Sequence, residues 1–253
     1  MKMKMKNLLK NSVFLLVMLL IFTACKKEDY MDTGVHNPNY NGTVWQFLES
    51  RPDLFDTLTV ALKIAKLDDI LKNEEVTFFA PPDPSILKSV WLLNEALFRS
   101  GQDSITSLDQ IKPEIWRKYL SQYIMKGKYV AKDFTQLDTL KLDSYPGGVF
   151  KTIDGKDMNI GVFYNDVKSS DKQVIKYAGY RQLYLNYPYA IPGLEEFLLP
   201  FVTAPVATSD IQPTNGVLHV LQFSKHALGF RSYLFAEDAM VQGILPKTDL
   251  TEL

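Results

Sequence analysis

The chain has 253 residues, 46% of them apolar, with 28 basic and 29 acidic side chains and a formal charge of −1. This composition excludes a disordered or collagen-like chain, and the single cysteine, Cys25, excludes an intramolecular disulfide. Near-neutral charge offers no concentrated basic face, so no nucleic-acid partner is expected.

Lys2, Lys4, Lys6 and Lys10 carry all the charge of residues 1–24, and Val13–Phe22 is an unbroken apolar run. The run is short of the about 20 residues that a helix needs to cross a bilayer core. A basic start, a short apolar stretch and small residues read as a secretory signal over residues 1–24. Phe22-Thr23-Ala24-Cys25 resembles the lipobox of bacterial lipoproteins. The resemblance implies cleavage before Cys25, lipid on its sulfur and an acylated amino terminus. A cleaved signal with an incidental cysteine is the plain alternative. Two or more acyl chains make a stable anchor, at about 0.8 kcal/mol per buried methylene. Lys26-Lys27-Glu28-Asp29 resembles the tract that exports Bacteroidetes lipoproteins to the outer face of the outer membrane, and reads equally as a solvated tether. Residues 25–42 are polar and read as a flexible tether.

From Thr43 the pattern turns globular. Thr43 is placed to cap a short helix ending before Pro52, and Asp53 to cap a second with Leu54, Leu58, Ala61, Leu62 and Ala65 at helical spacing. Leu67, Ile70 and Leu71 continue the apolar content. Val76–Ala80 is a β-branched and aromatic strand stopped by Pro81-Pro82, with Asp83 positioned to cap the helix Ser85–Phe98. Pro113 opens a further helix that closes near Gly127. Beyond Leu140 the chain reads as strands at Val149–Ile153, Met158–Tyr164, Val174–Ala178 and Val217–Phe223, with Asp154-Gly155 turning the first two into a hairpin. Helices first and strands later give an α+β class in one domain.

Two segments resemble the signature boxes of the fasciclin (FAS1) domain. The first is Val76-Thr77-Phe78-Phe79-Ala80-Pro81-Pro82-Asp83-Pro84. The second is Asn215-Gly216-Val217-Leu218-His219-Val220-Leu221. Between them, Tyr119–Tyr129 resembles a third family stretch. The motif residues are Thr77, Phe79, Ala80, Pro81, Asp83, Asn215, Gly216 and His219. The resemblance implies a β-sandwich or wedge flanked by N-terminal helices over residues 43–228, with 229–253 as an extension. It also implies a non-enzymatic, surface-anchored adhesion or ligand-binding role. The family's Tyr-His pair stands here as Gln122-Tyr123, so the integrin-type adhesion of animal members is not carried over. Residues 179–205 are longer and more aromatic than the family's usual link and read as an insertion.

No G-x-S-x-G, Walker A or dinucleotide glycine pattern occurs, and the histidines, His36, His219 and His226, lack zinc-ligand spacing. No catalytic residue, metal or cofactor is therefore expected. His219 alternates with Val217 and Leu221 and reads as a hydrogen-bonded core residue. The candidate binding surface is Tyr180, Tyr184, Asn186, Tyr187 and Tyr189, with Arg181 beside them. Tyrosine presents an apolar face and a polar tip suited to glycans or proteins, and equally to packing an insertion onto the domain. Tyr180 and Tyr184 can share one face of a helical turn. The expected partners are a membrane through lipid on Cys25, an extracellular glycan or protein ligand, and an outer-membrane transporter if the chain serves glycan or nutrient uptake.

Overall fold

A computed structural model describes residues 38–189 and 201–245. The signal, Cys25, most of the tether, residues 190–200 and the last eight residues lie outside the described residues. No helix among the described residues is long and apolar enough to cross a membrane.

Helix α1 (Val44–Glu49) begins with a reciprocal cap. The Gln46 N–H donates to Thr43 Oγ1 at 3.2 Å, and the Thr43 N–H donates to Gln46 Oε1 at 2.8 Å. Helix α2 (Pro52–Ile64) starts on Pro52, so Asp53 falls inside the first turn and does not cap it. Its carboxylate instead takes two bonds from Arg51, at 3.0 and 2.8 Å. At Phe55 the helix kinks (φ −135°, ψ 17°) and frees the amides of the following turn. The Asp83 carboxylate accepts from one of them, Leu58 N, at 2.9 Å. Asp83 therefore satisfies a neighbouring helix across 25 residues of sequence rather than capping its own. Lys66, at φ 55°, separates α2 from a short α3 (Asp68–Asn73).

Strand β1 (Val76–Ala80) is buried throughout, and Pro81-Pro82 turn it into α4 (Asp83–Arg99), which buries Ile86, Ser89, Leu93 and Leu97. Helix α5 (Pro113–Leu120) stops earlier than its apolar pattern indicates. One 3-10 turn follows, and then Ile124–Lys126 form β2. Pairing of Phe78 with Ile124 along β1 outweighs helical continuation there.

Strands β3 (Gly148–Lys151) and β4 (Asp157–Tyr164) form the expected hairpin, with Gly155 at φ 81° in its turn. A two-stranded ribbon, β5 (Val167–Lys168) and β6 (Val174–Ile175), follows, so the expected strand Val174–Ala178 is only two residues long. Strands β7 (Arg181–Pro188), β8 (Phe201–Ile211) and β9 (Gly216–Leu221) complete a seven-stranded sheet in the order β2-β1-β9-β8-β7-β4-β3. Residues 179–205 are thus not an appendage, because their described part supplies β7 and the start of β8. Leu183 and Leu185 alternate into the core as a period-two strand requires.

The two signature boxes pair in parallel, with Thr77 opposite Val217 and Phe79 opposite His219. The outer strands nearly meet, through a Met125–Thr152 bridge and a 2.9 Å bond from Ile153 N to Ile124 O. The result is an almost closed wedge packed by the helices. The carboxyl-terminal extension joins the same core. Helix α6 (Ser232–Asp238) lays Phe235 against Trp116 and Tyr119, at 5.4 and 5.3 Å between ring centroids, and the Tyr119 hydroxyl donates to Asp238 at 2.5 Å. Lys118 bonds the same carboxylate.

Candidate binding surface

Two of the motif residues, Thr77 and His219, form one staple. Thr77, wholly buried, donates to Gly127 O at 2.7 Å and accepts from Tyr129 N at 2.8 Å. From the neighbouring strand, His219 Nε2 reaches Tyr129 O at 3.0 Å, while its Nδ1 accepts from Asp210 N at 3.2 Å. Both boxes therefore hold the backbone of Tyr129. Phe79 lies against the imidazole at 4.8 Å, and Ala80 and Pro81 are buried beside it. Accepting from a backbone amide leaves Nδ1 unprotonated, so the Asp210 carboxylate 3.9 Å away makes no ion pair. Burial pushes the His219 pKa down to about 4. With both nitrogens engaged and no exposed surface, His219 is a structural residue, unavailable as a base or ligand.

Asn215 does comparable work for the helices. Its Oδ1 accepts from Val44 N at 2.8 Å, one of the unsatisfied first-turn amides of α1, and its Nδ2 donates to Leu71 O and Glu74 O, each at 3.0 Å.

A second buried histidine was not singled out by sequence. The Tyr123 hydroxyl accepts from Gly229 N at 2.7 Å, which leaves its proton for His226 Nε2 at 2.8 Å. Phe230 stacks on Tyr123 at 5.3 Å between ring centroids. Burial, with Lys88 nearby, drives the His226 pKa down to about 3.

The five candidate residues do not come together. Tyr187 points to the core side, stacked on Phe230 at 5.6 Å. Asn186 is wholly buried, and its Nδ2 donates to Asn159 Oδ1 at 2.9 Å across the β4–β7 pair. Tyr189 lies at the far end of β7 under the Arg231 guanidinium, 5.2 Å away. Only Tyr180 is broadly exposed, at 69%, with Tyr184 half-buried beside it against Phe163. Burial and the neighbouring Tyr180 raise the Tyr184 phenol above its ordinary pKa. The expected helical turn carrying Tyr180 and Tyr184 is absent: Tyr184 lies in β7 and Tyr180 immediately precedes it.

What the structure adds at that end is cationic. Arg181 pairs with Tyr164 across the ladder and lays its guanidinium 3.4 Å from the centre of that ring. Beyond this pair the ribbon β5–β6 continues from Asn165, whose N–H bonds Tyr180 O at 3.1 Å. Tyr177 at its base donates to the buried Asp138 at 2.9 Å and has Lys141 Nζ 5.6 Å from its ring. Elsewhere, a groove of about 360 Å³ between α4 and the helical end of the chain is lined by Leu92, Ala96, Tyr233 and Met240. Among the described residues no group of three histidine, cysteine or carboxylate side chains is placed to hold a metal.

An almost closed mixed sheet, with a central parallel pair and helices packed along it, defines an α+β wedge. The family model for the fasciclin domain matches residues 53–222, more than half of the chain. The chain belongs to the fasciclin domain family. Among solved structures, a FAS1 domain pair from the insect cell adhesion molecule fasciclin I is similar, with a TM-score of 0.43 and 19% identity. That similarity covers 71% of this chain and 49% of the other, so the chain spans about half the length of that relative. No curated protein matches the chain.

Proposed function

We propose that this fasciclin-domain chain is a non-enzymatic binding module, held at a bacterial outer-membrane surface by lipid on Cys25 and recognising an extracellular glycan or protein. The observation that carries the binding role is the exposed end of the β4–β7 pair, where Tyr180 is open to solvent and the Arg181 guanidinium stacks on Tyr164. Exposed tyrosine and arginine are the residues that recognition surfaces favour. Anchoring rests on Phe22–Cys25 and the basic, apolar run before it.

Full-length chain in mild detergent, applied to arrays of saccharides and matrix proteins, should retain a ligand. Tyr180→Ala should weaken retention several-fold with unchanged thermal unfolding. Tyr187→Ala should instead lower stability by roughly 2 kcal/mol, since its ring packs against the core. Retention indifferent to Tyr180 would move the site elsewhere. Cells fed an alkyne fatty acid should label the chain, and Cys25→Ser should abolish the label. Label persisting on the serine variant would refute the anchor.

A further inference from the structure

Given the binding module proposed above, we infer that its ligand is an acidic polysaccharide, read by Arg181 through the carboxylates of uronate sugars. Residues 164–184 hold Lys168, Lys172, Lys176 and Arg181 against Asp166 and Asp171, a local charge of +2 on a chain whose total is −1. Asp166 is engaged by Lys176 at 2.8 Å, and Asp171 by the Ser169 hydroxyl. Lys168, Lys172 and Arg181 are exposed and have no carboxylate partner among the described residues. Lys141 adds a fourth cation close by, held over Tyr177.

Stacking fixes the plane of the Arg181 guanidinium on Tyr164 and leaves its N–H edges for a ligand. A planar fork held this way matches a carboxylate with two parallel hydrogen bonds, and little side-chain freedom is lost on binding. Tyr180, the preceding residue, exposes its ring at the same end of the ladder, a surface suited to the C–H face of a pyranose. A uronate residue presents both features at once, a flat apolar ring face and a carboxylate. The ribbon beyond the ladder extends the basic surface along β5 and β6, so a polymer with repeating carboxylates meets several cations in turn. An acidic peptide shares the carboxylates but lacks the sugar face that Tyr180 would cover.

Affinity electrophoresis of the full-length chain in mild detergent, in gels containing polygalacturonate, tests this. The expected result is retardation that dextran does not produce, that weakens with added salt, and that falls about tenfold in Arg181→Gln. Arg181→Lys should recover only part of the loss, since an ammonium is not a fork, and Tyr180→Ala should weaken binding with the charge untouched. No retardation by polygalacturonate, equal retardation by dextran, or an Arg181→Gln variant that binds normally would each overturn the assignment. Poly-L-glutamate displacing the chain more effectively than polygalacturonate would also overturn it, in favour of a protein ligand. If another array ligand is retained while polygalacturonate is not, the binding module stands and only the acidic-glycan assignment falls. If nothing is retained, both fall.

Discussion

Gly216→Ala should cost roughly 3 kcal/mol or more, and in a marginal background it should prevent folding. A Cβ at Gly216 would lie 2.3 Å from Val76 O and 2.8 Å from Val44 Cγ2. The first neighbour is backbone of β1, directly opposite in the central parallel pair, and cannot swing aside as a side-chain end can. Relief requires separating β1 from β9, which breaks the ladder on which α1 and the Tyr129 staple also depend. Urea unfolding followed by circular dichroism measures the change, and a loss below about 1 kcal/mol would show that the two strands tolerate separation. Asn215→Ala offers an independent measure of the same junction. It removes three hydrogen bonds, at about 1 kcal/mol each, and leaves the Val44 amide and two carbonyls to find water. Asn215→Asp should not rescue stability, because a carboxylate has no N–H to offer Leu71 and Glu74.

Stability should also fall steeply between pH 6.5 and pH 5. His219 and His226 are buried and neutral, with folded pKa values of about 4 and about 3 against an ordinary 6.5. The unfolded chain therefore takes up protons first as pH drops, and each histidine withdraws stability at roughly 1.4 kcal/mol per pH unit. By pH 5 this amounts to roughly 2 kcal/mol per histidine. The loss is complete only when pH passes below the folded values. Asp210 near His219 opposes the effect and Lys88 near His226 reinforces it, while burial is the larger cause for both. Carboxylates with depressed pKa values, such as Asp68 beside Lys72 and Asp238 beside Lys118, contribute in the same direction only at lower pH. His226→Phe should lower stability at neutral pH, because Tyr123 loses its acceptor, yet should about halve the slope between pH 6.5 and 5. A wild-type unfolding free energy that stays flat across that interval would mean that one or both imidazoles are solvated.

The residues most legible in sequence are those whose constraint is local. Pro81-Pro82 end a strand through their own geometry, Thr43 and Gln46 cap a helix over one turn, and Gly155 turns a hairpin between neighbours. The boxes around Phe78 and Val217 were readable as a pair, and with them the family and the α+β class. The sequence pattern of α5 runs past the helix's true end because that end is set by what Ile124 pairs with, 46 residues away along the chain. Strand β7 reads in sequence as part of an insertion although Leu183, Leu185 and Tyr187 alternate inward, since tyrosine on both faces hides the period of two. The same ambiguity scattered the candidate surface, because neighbouring residues on a strand face opposite sides. Tyr187 turns onto Phe230, Asn186 is buried on the other face against Asn159, and Tyr180, before the strand, stays exposed.

Sequence by itself determined the helices α1, α2, α4 and α5, the strands β1, β3, β4 and β9, the ends marked by proline and glycine, and the kinship carried by two short boxes. Only the tertiary structure decided which amide Asp83 satisfies, which backbone Thr77 and His219 hold together, and which tyrosine meets solvent beside Arg181. Propensity, capping and turn geometry act over a few residues, so one stretch of chain states them in full. The partner of a buried polar group, and the side to which a strand turns, depend on what folding brings opposite, and no window of neighbouring residues contains that.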